Sequence, residues 1–229
     1  MEGFTQWLRQ LRFEGILEIL LIALASLLCI TVHESCHGLA ALWLGDDTAK
    51  RMKRISLNPL RHIEPVGLLL MVTVRFGWAK PVPIDMRRFR NPKLGMAISA
   101  LAGPLSNVLL MMISAILRVV AVCFYVKTSH SVFEYLSNFF EWTAVLSAGL
   151  AVFNILPIPP LDGSKVMFSL LPQKAYSKLM RYERYGMIVL IALLFSNILD
   201  KPLFYLRGVL IALANLVTAP LYDWLLSLL

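Results

Sequence analysis

Charge is what this sequence lacks most. Only 16% of its 229 residues are Asp, Glu, Lys or Arg, and 58% are hydrophobic. A soluble domain carries about 25% charged and about 45–50% apolar residues. With a mean hydropathy of +0.70, the chain is too apolar to be a water-soluble globule. Cysteine is scarce too: Cys29, Cys36 and Cys123 form an odd set inside apolar stretches and give no reason to expect disulfides. Repeats, low-complexity tracts and linker-like segments are missing. The expectation is one integral membrane domain over residues 1–229, with the lipid bilayer as its surroundings.

The formal charge of +8 does not point to nucleic acid, because no DNA- or RNA-binding motif accompanies it. Eleven of the 22 Lys and Arg fall between Lys50 and Lys93, and five more between Lys165 and Arg184. Basic loops between apolar segments are the mark of membrane topology. The opening residues carry two acids and two arginines before the first apolar run, with no small-residue cleavage site after it. They are not expected to be a removable signal.

Five apolar segments stand out against the roughly 20 residues of a helical span. They run from about Gly15 to Gly45, from Leu94 to Val126, from Trp142 to Leu161, from Gly186 to Leu199, and from about Leu203 onward. The fold class is therefore an all-α polytopic membrane protein. A tight "DKP" turn is expected between the fourth and fifth segments. Residues 65–74 are apolar but span only about ten residues, which suits a re-entrant or interfacial element. The basic loops 50–93 and 165–184 are two spans apart and share one side, cytoplasmic by the positive-inside rule. The connection from Lys127 to Glu141 then falls outside.

Within the first apolar segment stands "HESCH": His33, Glu34, Ser35, Cys36 and His37. On a helix, positions i and i+4 share a face, so both imidazoles can meet one metal ion. Glu34 is placed to take a proton from a water on that metal. Zinc suits imidazole and carboxylate ligands and keeps a fourth position open for water. Two histidines and a glutamate in a membrane helix each cost roughly 2.5 kcal/mol or more, and by default mark function.

A third ligand is needed. Of the remaining histidines, His62 lies in a basic loop and His130 falls on the opposite side. Asp162, in "FNILPIPPLDGSK", follows a helix end broken by Pro157, Pro159 and Pro160. Charge counting brings Asp162 and the histidines to the same depth. A plain turn or helix N-cap at Asp162-Gly163 is the competing reading.

"HESCH" and "NILPIPPLDG", with "FGWAKPVPID" at 76–85 and "ALAGPLSN" at 100–107, resemble the site-2 protease family of intramembrane zinc metalloproteases. The lack of any PDZ or CBS stretch suggests a small member. The resemblance implies one Zn2+ per chain held by His33, His37 and Asp162, with Glu34 as catalytic acid/base. It also implies a three-helix catalytic core over about 15–165 that opens to the cytosol, with further helices over about 184–229. Asn154 matches the family's asparagine before the prolines, and would orient substrate or stabilise the oxyanion. Read on its own, Asn154 equally makes a helix-to-helix hydrogen bond. Asn107 is expected to have that structural role, beside a close contact at Gly103. The alternating prolines of "AKPVPID" favour an extended segment, either a strand-like edge for an unwound substrate or a plain interfacial loop.

The activity so implied is hydrolysis of a peptide bond within or near a transmembrane segment of a membrane-protein substrate. A metal-ion transporter would need polar residues on both sides of the site, and the outer halves of the spans are nearly free of them. A catalytically inactive scaffold would have no use for Glu34.

Overall fold

The structure, a computed structural model, describes residues 13–64 and 79–228. The segment expected to re-enter the bilayer, 65–74, lies outside the described residues, as do the first three residues of "FGWAKPVPID". Seven α-helices are described: α1 (Phe13–Trp43), α2 (Thr48–Arg51), α3 (Pro92–Thr128), α4 (Ser131–Asn154), α5 (Asp162–Ser169), α6 (Gln173–Phe195) and α7 (Asp200–Ser227). Single 3₁₀ turns add Pro59–Arg61 and Met86–Arg88. Four helices, α1, α3, α4 and α7, are long and apolar enough to cross a membrane.

Helix α3 is the central post, packed along both α1 and α4, while α7 leans on the α3–α4 pair. Small residues let these helices approach closely, as membrane helices require where lipid supplies no hydrophobic drive. Cys29 Sγ of α1 lies 3.1 Å from Ser147 Oγ of α4, and fully buried Thr143 sits at the same seam. Met111, Ala115, Ala148 and Ala214 form the core shared by α3, α4 and α7. Large apolar side chains such as Leu109, Phe204 and Leu216 point outward, as lipid-facing residues do.

Two expectations are corrected. The third span does not begin at Trp142. Its helix starts at Ser131, and only Ser129 and His130 separate it from α3. The turn is made by Ser129 in the left-handed region (φ 52°), capping α3. Glu134, Asn138 and Glu141 lower the hydropathy of the stretch without breaking its helix, so apolarity marked only half the element. The same span was expected to reach Leu161, but its helix stops at Asn154, ahead of the prolines.

The "DKP" sequence is not a turn. Asp200, Lys201 and Pro202 form the first turn of α7, where a proline's missing N–H costs nothing. The reversal lies at Ser196–Leu199, with Asn197 at φ 57°. The fourth apolar segment is the second half of a longer helix, α6, whose first half holds Lys174 and Lys178. Its apolar part, Tyr185–Phe195, is too short to count as a span.

The described part of the proline-rich segment, 79–85, is compatible with both readings of it, a substrate edge and an interfacial loop. No β-ladder forms among the described residues; 79–85 belongs to no helix or strand, and Asp85 at its end is extended (φ −103°, ψ 97°). The segment is pinned instead by scattered bonds. Lys80 N donates to His62 O (2.9 Å), and Asp85 N donates to Asp46 Oδ2 (2.7 Å). Arg54 Nη2 donates to Lys80 O (2.7 Å) and Pro81 O (3.3 Å). Salt bridges staple the neighbouring loops, with Arg88 and Arg51 both on Asp47. The hydrogen bond from Arg51 holds the Asp47 carboxyl below the ordinary carboxylate range, and the Arg87 side chain and backbone N–H do the same for Asp85.

Candidate metal centre and active site

Helix α1 carries His33 and His37 one turn apart, and both are buried, at 6% and 7% exposed. Their Nε2 atoms stand 3.0 Å from one another. Asp162, the first residue of α5, reaches them from the far side of the chain. Its Oδ2 lies 3.2 Å from each Nε2. Among the described residues this is the one group of three or more His, Cys, Asp or Glu able to hold a metal ion.

The triangle can be tested against the ion. Four ligands at about 2.0–2.1 Å in a tetrahedron around zinc are about 3.3–3.4 Å apart. Edges of 3.0, 3.2 and 3.2 Å are within a few tenths of an ångström of that face. Two imidazoles and a carboxylate are a catalytic zinc donor set, with three protein ligands and a fourth position left over. The residues fit the ion.

Local sequence explains how Asp162 gets there. Helix α4 ends at Asn154, and the Pro157, Pro159 and Pro160 stretch cannot continue it. The chain folds back so closely that a Cβ on Gly163 would overlap the backbone of Ile155 and Leu156. Only glycine allows Asp162 to begin a helix at that place. The Asp162 carboxylate is shared: Lys165 Nζ lies 3.6 Å from Oδ1, which leaves Oδ2 to the histidines.

Helix α3 supplies the surroundings of the histidines. His37 Nδ1 donates to the backbone oxygen of Ser99 at 2.7 Å. Gly103 faces both rings, and a Cβ there would overlap His37 and His33. Asn107, fully buried, brings Nδ2 to 3.2 Å from His33 Nδ1. The expected helix-to-helix hydrogen bond of Asn107 therefore exists, but its partner is a ligand candidate. Ser99, Gly103 and Asn107 recur every four residues on an otherwise apolar helix, a spacing that could have marked all three as facing one site.

Glu34 is half-buried, and its Oε2 accepts from Val82 N at 3.0 Å. The 79–85 segment thus touches the glutamate of the HESCH helix turn directly. Sequence reasoning had no signal for a backbone contact across 48 residues. Glu34, His33, His37 and Asp162 open onto a cavity of about 440 Å³, also lined by Asn154 and by apolar residues such as Leu190. Asn154 is at the cavity wall and outside the triangle, and its Nδ2 donates to Leu150 O of its own helix at 3.1 Å.

Residues 117–197 match the model of a family described as Peptidase family M50. The chain is 36% identical to the protein named "Putative zinc metalloprotease YwhC" of Bacillus subtilis (strain 168), over 75% of this chain and 78% of that protein. It is 24% identical to the one named "Putative zinc metalloprotease Rip2" of Mycolicibacterium smegmatis, over 87% of this chain and 75% of that protein. A stretch of 32 residues is 50% identical to zinc metalloprotease RasP of Oceanobacillus iheyensis, covering 14% of this chain and 8% of that protein. No solved structure gives a significant match.

Proposed function

The chain belongs to peptidase family M50, the site-2 type of zinc metalloprotease, and from that premise we propose that it hydrolyses peptide bonds within or next to transmembrane segments of membrane-protein substrates. The single observation that carries this reading is the buried triangle of His33, His37 and Asp162 with Glu34 beside it, on one cavity between apolar helices.

His33 and His37 through Nε2, and Asp162 through Oδ2, are the groups that would hold the zinc. Bound there, zinc supplies a Lewis acid that polarises a carbonyl and lets water lose a proton near neutral pH. Glu34 takes the proton from the attacking water and returns it to the leaving amine nitrogen. The hydrogen bond from Val82 N fixes one carboxylate oxygen for this work. Asn154, at the cavity wall, is the side chain proposed to meet the substrate carbonyl or its oxyanion.

A helical substrate keeps its carbonyls in its own hydrogen bonds, so it must unwind before hydrolysis. The Pro81–Asp85 segment offers a place for the unwound strand. Among its backbone groups, the Ile84 N–H and the carbonyls of Val82, Pro83 and Ile84 carry no hydrogen bond to any described residue. Pairing there would lay the strand beside Glu34. The basic loops at this end of the bundle support a site that faces the cytoplasm.

The test is cleavage of a model transmembrane substrate by the purified protein in liposomes, with products mapped by mass spectrometry. Cleavage at the edge of the apolar segment, abolished in Glu34→Gln, is the expected result. Cleavage confined to soluble peptides would overturn the intramembrane reading.

A further inference from the structure

The two histidines of α1 are met differently by α3. His37 Nδ1 faces a backbone carbonyl, that of Ser99. A carbonyl only accepts, so the His37 proton is on Nδ1 and its Nε2 keeps a lone pair for a metal. His33 has no carbonyl in the equivalent place. Its Nδ1 faces the carboxamide of Asn107, with Nδ2 at 3.2 Å and Oδ1 buried without a hydrogen-bond partner among the described residues.

With the amide nitrogen on the ring, Nδ1 must accept and the His33 proton sits on Nε2, where it blocks the lone pair. A half-turn of the carboxamide exchanges oxygen and nitrogen at that point. Oδ1 then accepts from Nδ1–H, and Nε2 is free. Either orientation pairs one amide atom with the ring, and only the second is compatible with His33 as a ligand.

We propose that Asn107 is a positioning residue of the metal centre, whose Oδ1 accepts the Nδ1 proton of His33 and so presents Nε2 to the metal. This rests on the reading of His33 as a zinc ligand. Partners of this kind typically change metal affinity by about 10–100-fold when lost. Burial makes the effect strong here, because no water reaches Asn107 to replace the acceptor.

The experiment compares zinc affinity, by chelator competition in detergent, for the parent, Asn107→Leu and Asn107→Asp. Leucine matches the volume but offers no acceptor, and aspartate accepts at both oxygens but donates at neither. The expected result is zinc binding weakened about 10–100-fold in the leucine variant and restored to near the parent in the aspartate variant. Melting in EDTA serves as the structural control, and the leucine variant should melt with the parent there. Should it fail to fold, Asn107→Ala takes its place with the same expectation. Equal affinity in all three proteins would overturn the proposal alone, as would an aspartate variant as weak as the leucine one. A parent that binds no zinc would overturn the metal centre itself, and the proposal with it.

Discussion

His33 Nε2 lies 3.2 Å from Asp162 Oδ2 although 129 residues separate them in the chain. The described helices between the two make that approach possible. Helix α3 leaves the histidines' end of the bundle and α4 returns to it, and the prolines after Asn154 end the second helix where Asp162 is needed. Both groups are buried, so an unmatched carboxylate there would cost several kcal/mol. A metal ion held by both groups, as proposed, would offset that cost.

Metal content should follow this relationship. The purified parent is expected to carry about one zinc per chain by mass spectrometry, in line with a three-ligand site. Both His37→Ala and Asp162→Ala should lose it. Retention of zinc by Asp162→Ala would break the link between the two motifs.

Glu34→Gln separates chemistry from binding. The variant should keep its zinc, since Glu34 is outside the ligand triangle, and lose turnover by about 10²–10⁴-fold or more, the usual worth of a positioned acid or base. Unchanged turnover with intact zinc would remove Glu34 from the mechanism and revive the scaffold reading.

The metal triangle was legible in the sequence because its parts obey local rules: His33 and His37 share a helix face by spacing, and Asp162 follows prolines that must end a helix. Apolar runs likewise located the four described helices that are long and apolar enough to cross a membrane. They failed at boundaries, since helices such as α4 and α6 continue through polar residues that hydropathy discounts. What joins distant segments left little trace. Val82 meets Glu34 through a backbone N–H, which any residue except proline possesses. Asn107 was legible as a helix-to-helix donor or acceptor, but nothing in its neighbours named His33 as the other partner.

Gly103 offers a test in which local and tertiary effects have opposite signs. Replacing a helix-interior glycine with alanine ordinarily favours the helix by about 0.8–1.0 kcal/mol. Here the added Cβ would overlap the His37 and His33 rings. Gly103→Ala is therefore expected to lower zinc affinity by at least about tenfold, the range seen when ligand surroundings are disturbed, while far-UV circular dichroism stays unchanged. A variant with normal zinc affinity would show that the rings can move aside.

Asp46 anchors the other half of the site. It is fully buried, its Oδ2 accepts from Asp85 N at 2.7 Å, and its Oδ1 accepts from Thr48 N at 3.0 Å. Hydrogen bonds to a charged group are worth about 1.5–3 kcal/mol each. Asp46→Ala should thus lower thermal stability measurably and release the 79–85 segment to protease or hydrogen exchange, with zinc retained because no ligand is touched. Loss of zinc in this variant would mean that the loop shapes the metal triangle too.

The most selective test of the segment is Val82→Pro. The substitution keeps Glu34 and all three ligand side chains and deletes the N–H that donates to Glu34 Oε2 at 3.0 Å, while exchanging the buried valine side chain for a proline ring. Pro81 and Pro83 already flank the position in a segment outside any helix or strand, and a residue before proline favours the extended region, which a third proline also adopts. A hydrogen bond to an ionised carboxylate is worth about 1.5–3 kcal/mol, so kcat should fall about 10–100-fold while zinc content holds. Thermal stability separates the outcomes further, because the Lys80 and Asp85 anchors of the segment survive the change. An unchanged kcat would mean that Glu34 finds its orientation without the segment, and the contact would then be packing alone.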